Sequence, residues 1–386
     1  MNIALSGGKV ITPFRVLNDG IVVIENGKIT NLGKTSEIKV PKDCKIYDIK
    51  GKTVCPGFVD LLDHGGAGYG FADDSVESIE KISKYLLEHG LTTVLASLYA
   101  KPEKLLLKDL RRISDYIIGH PDSNIRGIHV EGPYLNKKLK GAMNGNYLWK
   151  PSVESWNKMW EASRGLIRIM TIAPELPGAM DVIRAAAKQG VILSIGHSMA
   201  TYDELENAID NGVAHVTHMF NAMEPFHHRH PGIILGALLH NELKIELIAD
   251  TLHVHPAVME FLLKLKGASG IILVSDSIRA GGMHEGEYEF ADQKIYMKGK
   301  RAYLPDGTLA GSTLTLNMAV KNMVETAGAK ITEAVRMASL NGAKVLSLES
   351  RKGIIAVGKD ADLVVMDDKY DIQMTVLGGE IVFQKK

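Results

Sequence analysis

The sequence predicts an α/β protein, a (β/α)8 TIM-like barrel that carries a small β-sandwich domain formed by both chain ends. Two observations lead to this fold class. Strand-like and helix-like segments alternate through the middle of the chain, which is the pattern of parallel βα units. Short strands joined by turns occupy both ends, and neither end has enough strands to bury a core alone.

The small β domain is predicted over residues 1–53 and 355–386. Residues 21–24 are apolar and β-branched, and the Asn26-Gly27 pair that follows them is a strong hairpin signal. The last part of the chain has the same strand-like character. The economical arrangement pairs the two ends into one domain and inserts the barrel, residues 54–354, between them.

The barrel is predicted from eight segments that are rich in apolar and β-branched residues. We expect these strands near residues 54–60, 92–98, 125–130, 167–172, 191–195, 214–217, 245–249 and 271–275. Helical segments fall between most of them; Thr201 and Glu204 have the spacing of a capping box, and Gly212 follows as a stop. Eight such units favour a closed barrel over an open sheet. An extra hairpin is expected near residues 287–305.

The composition argues against several classes of function. Lys and Arg together number 45, as do Asp and Glu, so no overall field attracts nucleic acid or an anionic membrane. No apolar stretch approaches the ~20 residues that cross a bilayer, and the amino terminus does not resemble a signal peptide. Cys44 and Cys55 resemble neither a disulfide framework nor a zinc clip. A cytoplasmic enzyme is the expectation, and any anionic ligand must be bound by a local site.

Four predicted strands end in a side chain that binds metals or moves protons: Glu131, His197, His218 and Asp276. The carboxyl ends of barrel strands open onto one rim, so residues far apart in sequence converge there. One carboxylate and two imidazoles make a divalent-metal set. Asp276 is then free to act as a general base and to return the proton to a leaving group. The alternatives are hydrogen-bonded core histidines and an aspartate that only caps the next helix.

Loops after the strands carry candidate substrate-binding groups. Three histidines surround Arg229 in the loop 226–230, and an Arg fork binds phosphate or carboxylate well. A solvated loop with no partner is the alternative. Asp250 and His253 follow the seventh strand, where His253 could donate to a substrate carbonyl or be a plain surface histidine. Residues 307–312 form a small-residue loop that either lets a ligand approach the backbone or is only a turn.

At these positions the chain resembles the amidohydrolase superfamily and, within it, the N-acetylglucosamine-6-phosphate deacetylases. The motifs that carry the resemblance are Pro56-Gly57-Phe58-Val59-Asp60, His129-Val130-Glu131-Gly132-Pro133, Gly196-His197-Ser198, Thr217-His218-Met219-Phe220-Asn221-Ala222-Met223, Asp250-Thr251-Leu252-His253, Val274-Ser275-Asp276-Ser277 and Leu309-Ala310-Gly311-Ser312. Their order and spacing are highly specific. The resemblance implies a barrel with a small β domain, a divalent metal and a homodimer.

The resemblance also implies a role for each matching residue. Glu131, His197 and His218 would be the metal ligands, Asp276 the acid and base, and His253 would orient the acetamido carbonyl. The residues expected to contact the amino-sugar phosphate, with help from a neighbouring subunit, are Ala142, Met143, Asn221, Ala222, His228, Arg229, Asp250, His253, Leu309, Ala310 and Gly311. The implied cofactor is one divalent cation; zinc is expected first, with iron or manganese as alternatives.

Two positions depart from the family pattern. Many members carry His-x-His after the first strand, but here only His64 of that pair is present. A single-metal site is therefore expected, with His64 as a possible further ligand. After Gly141 and Ala142 such enzymes usually place a polar His or Gln, whereas Met143 cannot donate a hydrogen bond to a sugar hydroxyl.

The resulting hypothesis is hydrolysis of N-acetylglucosamine 6-phosphate to glucosamine 6-phosphate and acetate. Because of Met143, the same chemistry on another N-acetyl-hexosamine phosphate, such as the galactose epimer, is an alternative. Dihydroorotase-like hydrolysis of a cyclic amide is disfavoured, because those relatives generally use a modified lysine after the fourth strand and residues 171–175 contain none. The rival from another class is a non-catalytic barrel that acts as a binding protein.

Overall fold

The computed structural model describes residues 2–12 and 14–385, and a nearly closed barrel of eight parallel strands forms its centre. The barrel strands are Phe58–Asp63, Leu91–Tyr99, Ile125–Glu131, Ile167–Ile172, Ile192–Ile195, Val213–Val216, Lys244–Leu247 and Ile271–Leu273. Neighbours in this order pair in parallel, from the first strand to the eighth. The predicted α/β barrel is confirmed.

The barrel closes where its first and eighth strands meet. The amide of Asp276 donates to the carbonyl of Leu62 at 2.8 Å, and the amide of His64 donates to the carbonyl of Ser277 at 2.7 Å. Both bonds lie at the carboxyl ends of the two strands. The seam of the barrel therefore fixes the backbone of His64 and of Asp276 at the same rim.

A separate sheet gathers the two chain ends. Its strands are Ile3–Ile11, Val16–Glu25, Lys28–Lys34, Lys45–Asp48, Thr53–Pro56, Leu363–Met366, Ile372–Leu377 and Glu380–Gln384. The ends meet where Leu363–Met366 runs antiparallel to Thr53–Pro56. The expected hairpin turn is present, with positive φ at both Asn26 and Gly27. The division into domains at 53/54 and 354/355 stays a prediction.

The segment expected as the first barrel strand, residues 54–60, is divided between the two sheets. Thr53–Pro56 belongs to the sheet of chain ends, and the barrel strand begins only at Phe58. Gly57 separates them, and a Cβ at this position would lie 2.2 Å from Oγ1 of Thr92. The barrel strand needs this close approach, because Thr92 belongs to its neighbouring strand.

Ten α-helices connect and cover the strands in the described residues. They are Val76–Glu88, Glu103–Gly119, Val153–Ala162, Ala179–Lys188, Tyr202–Asp210, Gly232–Leu239, Pro256–Lys266, Leu316–Thr326, Ile331–Ala338 and Leu340–Val345. The capping box predicted at the start of the fifth helix is present: Thr201 accepts from the Glu204 amide, and Glu204 accepts from the Thr201 amide. Among the helices of residues 2–12 and 14–385, none is long and apolar enough to cross a membrane.

The extra hairpin expected after the eighth strand is a three-stranded antiparallel sheet, which we call the rim sheet. Its strands are Gly286–Phe290, Gln293–Lys298 and Arg301–Tyr303. Phe290 and Ile295 pack in one apolar cluster with Met143 and Ile278. The rim sheet is thereby held against the carboxyl ends of the barrel strands.

Candidate active site

Glu131, His197 and His218 meet at the carboxyl ends of the third, fifth and sixth barrel strands. Oε1 of Glu131 lies 3.1 Å from Nε2 of His197 and 2.9 Å from Nε2 of His218. The two Nε2 atoms are 3.1 Å apart. All three residues are buried, and one ligand atom from each could contact a single metal ion.

The backbone turns sharply at these positions. The φ angles of His197 and His218 are +50° and +29°, and that of Asp276 is +49°. Side chains with a Cβ rarely adopt this region, and each such residue costs roughly 1–3 kcal/mol. All three residues line the same cavity. Strain at three rim residues is what a site assembled for function predicts.

The donor set fits a divalent cation. Nδ1–H of His197 donates to the carbonyl of Leu139 at 2.7 Å, so in the neutral ring Nε2 presents a lone pair. That lone pair faces a carboxylate oxygen and the Nε2 of His218 at 3.1 Å each. Such a group of acceptors is stable in a buried place only when a positive charge lies between them. One carboxylate and two imidazoles suit zinc, iron or manganese.

The pKa values of Glu131 and His218 also indicate that a positive charge stabilises this cluster. Burial alone would raise the pKa of Glu131, but hydrogen bonds from His197, His218 and His64 hold it well below its usual range. Burial would lower the pKa of His218, yet Glu131 raises it to about 9. In the absence of a metal ion, a proton would therefore supply part of the missing charge.

His64 joins the cluster from the barrel seam. Its Nε2 lies 3.1 Å from Oε2 of Glu131 and 3.4 Å from Oδ1 of Asp276. Nδ1 is 3.2 Å from the carbonyl of Ser97, which accepts its proton. Burial would lower the pKa of His64, but hydrogen bonds to Asp276 and Glu131 raise it to about 10. His64 thus bridges the metal-ligand cluster and Asp276; its role as a further ligand stays a prediction.

A single cavity of about 520 Å³ opens over this cluster. Glu131, His197, His218, His64 and Asp276 form part of its lining. The volume lies within the range of small-molecule sites. Two larger cavities, of about 760 and 730 Å³, border the sheet of chain ends and share no lining residue with this one. The largest cavity is therefore not the candidate active site, because the metal-binding and proton-transferring side chains lie at the barrel mouth.

His253 enters the cavity in a fixed orientation. Its Nδ1–H donates to Oδ2 of Asp250 at 2.7 Å, and Oδ1 of Asp250 accepts from the amides of Leu252 and His253 at 2.8 Å each. The carboxylate is nearly buried. Because Nδ1 is engaged with Asp250, Nε2 is the ring atom left for a ligand.

Other residues expected to bind substrate are divided between three places. Ala142, Met143, Asn221, Ala222, Leu309 and Gly311 line the cavity. Asp250 and Ala310 are not part of the lining: Asp250 supports His253, and Ala310 is fully buried behind the wall. His228 and Arg229 are exposed on a loop outside the cavity of their own chain, where Nη1 of Arg229 lies 3.0 Å from Nε2 of His228.

Several lining residues were not expected from the sequence. They are Lys137, Lys138, Leu139, Lys140, Phe290 and Asp306. The three lysines within four positions, shortly after the Glu131 motif, were a signal available in the sequence. Phe290 had no such signal, because its place depends on how the rim sheet folds back. Its ring stands edge-on to His64, with ring centroids 5.6 Å apart.

Comparison with known proteins agrees with this geometry. The Amidohydrolase family matches residues 53–382. The N-acetylglucosamine-6-phosphate deacetylase of Bacillus subtilis is 36% identical over 381 residues, covering 98% of this chain and 96% of its own. The N-acetylgalactosamine-6-phosphate deacetylase of Escherichia coli O157:H7 is 32% identical over 342 residues, covering 88% and 90%.

Solved structures give the same result. A mutant of N-acetyl-D-glucosamine-6-phosphate deacetylase from Mycobacterium smegmatis, in complex with N-acetyl-D-glucosamine-6-phosphate, superposes with a TM-score of 0.93 at 30% identity. The match covers 99% of this chain and 100% of that one. The resemblance inferred from short motifs therefore holds over the whole length. The chain belongs to the amidohydrolase family and, within it, to the N-acetylglucosamine-6-phosphate deacetylases.

Proposed function

We propose that this protein hydrolyses the acetamide of N-acetylglucosamine 6-phosphate and releases glucosamine 6-phosphate and acetate. One observation carries the proposal: a buried Glu131–His197–His218 cluster and the carboxylate of Asp276 line one cavity in a chain of this family. A non-catalytic binding protein would have no use for a metal-ligand cluster beside a carboxylate that can move protons. Hydrolysis explains both groups.

Glu131, His197 and His218 would hold one divalent cation. Bound there, such an ion supplies a water of lowered pKa and polarises the acetamido carbonyl. Zinc suits the ligand set best, and iron or manganese also fit it. Leu139 supports the set from outside, since its carbonyl fixes the tautomer of His197.

Asp276 would act as both base and acid. Its carboxylate accepts a proton from the attacking water and then gives that proton to the amine nitrogen as the C–N bond breaks. The residue is 8% exposed, so bulk water does not readily compete for the proton. Backbone bonds to Leu62 and Ser312, at 2.8 Å each, hold it in place during both transfers.

His253 would stabilise the carbonyl oxygen. As negative charge develops on that oxygen, a donated hydrogen bond from Nε2 becomes stronger than in the ground state. The proton on Nδ1 stays with the Asp250 contact, so the ring cannot rotate away without breaking it. Asp250 is therefore a positioning residue, and His253 is the group that touches substrate.

The sugar would lie between two loops that face each other across the cavity, with Asn221 and Ala222 on one and Leu309 and Gly311 on the other. Met143 contributes an apolar surface, since it packs with the rim sheet and offers no hydrogen bond. The galactose epimer is not favoured, because the N-acetylgalactosamine-6-phosphate deacetylase is less similar than the Bacillus subtilis relative.

The assembly we propose is a homodimer in the cytoplasm. His228 and Arg229 are exposed and lie outside the cavity of their own chain, so they could complete the phosphate site of a neighbouring subunit. Sedimentation measurements would test the dimer, and a monomer at working concentration would contradict it. Cys44 and Cys55 are free thiols, which suits a reducing compartment; cell fractionation would test the location.

Acetate release by metal-loaded protein is the decisive assay. We expect strong preference for N-acetylglucosamine 6-phosphate over its galactose epimer and over the unphosphorylated sugar. Turnover of only the epimer would preserve the mechanism and change the specificity. A stoichiometric metal without turnover of any of the three would favour the binding protein.

A further inference from the structure

We propose that Lys137 and Lys138 bind the phosphate of the substrate within the same subunit, on a loop that also orients the metal ligand His197. This proposal rests on the proposed function, since it requires a phosphorylated substrate. It adds an intrasubunit phosphate contact to the His228 and Arg229 groups, which lie outside the cavity of their own chain. The loop is called the lysine loop and comprises residues 136–143.

The charges around the cavity mouth support a dianion at this place. Lys137, Lys138 and Lys140 all line the cavity. The ammonium of Lys140 donates to the carbonyls of Gly141 and Met143 at 3.2 Å each, so it is occupied in shaping the loop. Within the described residues, the ammonium groups of Lys137 and Lys138 have no carboxylate partner. They are available to a ligand, and an ammonium is a good partner for phosphate.

The acidic residues of the lining do not cancel these two charges. Glu131 and Asp276 lie on the floor of the cavity, where His64 contacts both. Asp306 is the third carboxylate of the lining; its Oδ1 accepts from the Thr308 amide at 2.9 Å, and within the described residues no ion pair joins it to Lys137 or Lys138. The cavity thus has a metal-binding floor and a cationic side, which matches a substrate with an amide at one end and a phosphate at the other.

The lysine loop is held in place by contacts with His197. The Asn136 amide donates to the His197 carbonyl at 2.9 Å, and the Leu139 carbonyl accepts from Nδ1 of His197 at 2.7 Å. A Cβ on Gly141 would lie 3.2 Å from Cε1 of the same ring. Gly145 leaves room for a lysine stem, since a Cβ there would be 3.6 Å from Cε of Lys137. The lysines therefore stand on a loop that is fixed to a metal ligand.

This connection has a consequence for catalysis. A phosphate bound by Lys137 and Lys138 holds the lysine loop in place, and the lysine loop holds the ring of His197. Binding energy from a part of the substrate that does not react would then favour the productive arrangement of the metal ligand. The unphosphorylated sugar should accordingly lose kcat as well as affinity.

The test uses metal-loaded protein with Lys137→Gln, Lys138→Gln and the double substitution. Lys150→Gln is the matched control, because Lys150 is exposed on the same connecting segment and does not line the cavity. Each variant is assayed with N-acetylglucosamine 6-phosphate and with unphosphorylated N-acetylglucosamine, and its metal content is measured. We expect KM for the phosphorylated sugar to rise by about tenfold for each lysine, the scale of one charge-assisted hydrogen bond. Values for the unphosphorylated sugar and for Lys150→Gln should stay at the wild-type level.

Two results would overturn the proposal. An unchanged KM in the double variant, together with a raised KM in Arg229→Gln, would assign the phosphate to Arg229. Equal losses on both sugars would mean that the lysines only shape the loop. Failure of the wild-type protein to hydrolyse N-acetylglucosamine 6-phosphate would instead contradict the proposed function. A wrong phosphate site and a wrong function are therefore distinguishable.

Discussion

Replacing Asp276 with Asn should abolish turnover and leave the metal site intact. The substitution keeps the size of the side chain and the bonds that seat the residue. The backbone amide of residue 276 still donates to the carbonyl of Leu62, and its backbone carbonyl still accepts from the amide of Ser312. Neither bond uses the carboxylate. The change therefore removes the capacity to take up and return a proton, together with the negative charge that Asp276 places 3.4 Å from Nε2 of His64.

The magnitude follows from the two transfers assigned to this group. General acid–base catalysis contributes roughly 10²- to 10⁴-fold in rate. At ~1.4 kcal/mol for each factor of ten, the barrier should rise by about 3–5 kcal/mol. Asp276 serves both steps, and at 8% exposure it is poorly replaced by solvent. We therefore expect kcat to fall at least ~10³-fold.

Acetate release and metal analysis on the same preparations would check this result. Asp306→Asn is the matched control, because Asp306 lines the same cavity and loses the same charge without a place in the proton transfer. It should retain most of the wild-type kcat. A kcat for Asp276→Asn within tenfold of wild type, at full metal content, would refute the acid–base role. Loss of the metal together with activity would make Asp276 a ligand instead.

Three other changes test separate parts of the structure. A chelator should abolish turnover and lower Tm, because the buried carboxylate of Glu131 loses its counter-charge; added zinc should restore both, and full activity after verified metal removal would contradict a metal-assisted reaction. Thr201→Ala should cost about 1 kcal/mol of unfolding free energy in denaturant titrations, whereas Thr201→Ser, which retains the capping hydroxyl, should cost less; equal losses would contradict the capping role. Burial lowers the pKa of His215 from 6.5 to about 3. Its contribution to stability is therefore present above pH 6.5 and is lost as the pH falls toward 3. Between pH 6.5 and 5 the unfolding free energy of the wild type should fall more steeply than that of His215→Leu, by up to ~1.4 kcal/mol per pH unit. Equal slopes of unfolding free energy against pH in the two proteins would contradict this.

The sequence predicted the rim of the barrel well because the relevant pattern is local. A run of β-formers followed by a functional side chain places that side chain at a strand end, and parallel strands bring all such ends together. Glu131, His197, His218 and Asp276 were found in this way, and their side chains do line one cavity. The convergence needed no knowledge of loop conformation.

What the sequence did not predict depends on contacts between distant segments. The break at Gly57 follows from the side chain of Thr92 on the next strand. The position of the lysine loop depends on the hydrogen bond between Leu139 and His197, which are 58 positions apart. Phe290 reaches His64 only because the rim sheet folds over the barrel mouth. Local periodicity carries no information on such pairs.

The charges of the buried site argue for one metal ion rather than two. Glu131 and Asp276 are the carboxylates that face the ligand histidines and His64. Burial raises the pKa of Asp63 well above its usual range, that of Glu246 to about 8 and that of Asp60 to about 7, so burial disfavours the ionised form of each of these three neighbouring carboxyls. With neutral imidazoles the floor of the cavity then carries two negative charges, which a single divalent ion balances. A second ion would need its counter-charge from these three carboxyls, whose ionised forms burial disfavours. The single-metal site stays a prediction, which the missing first histidine of the family pattern and this charge balance both favour; metal analysis of the purified protein would test it.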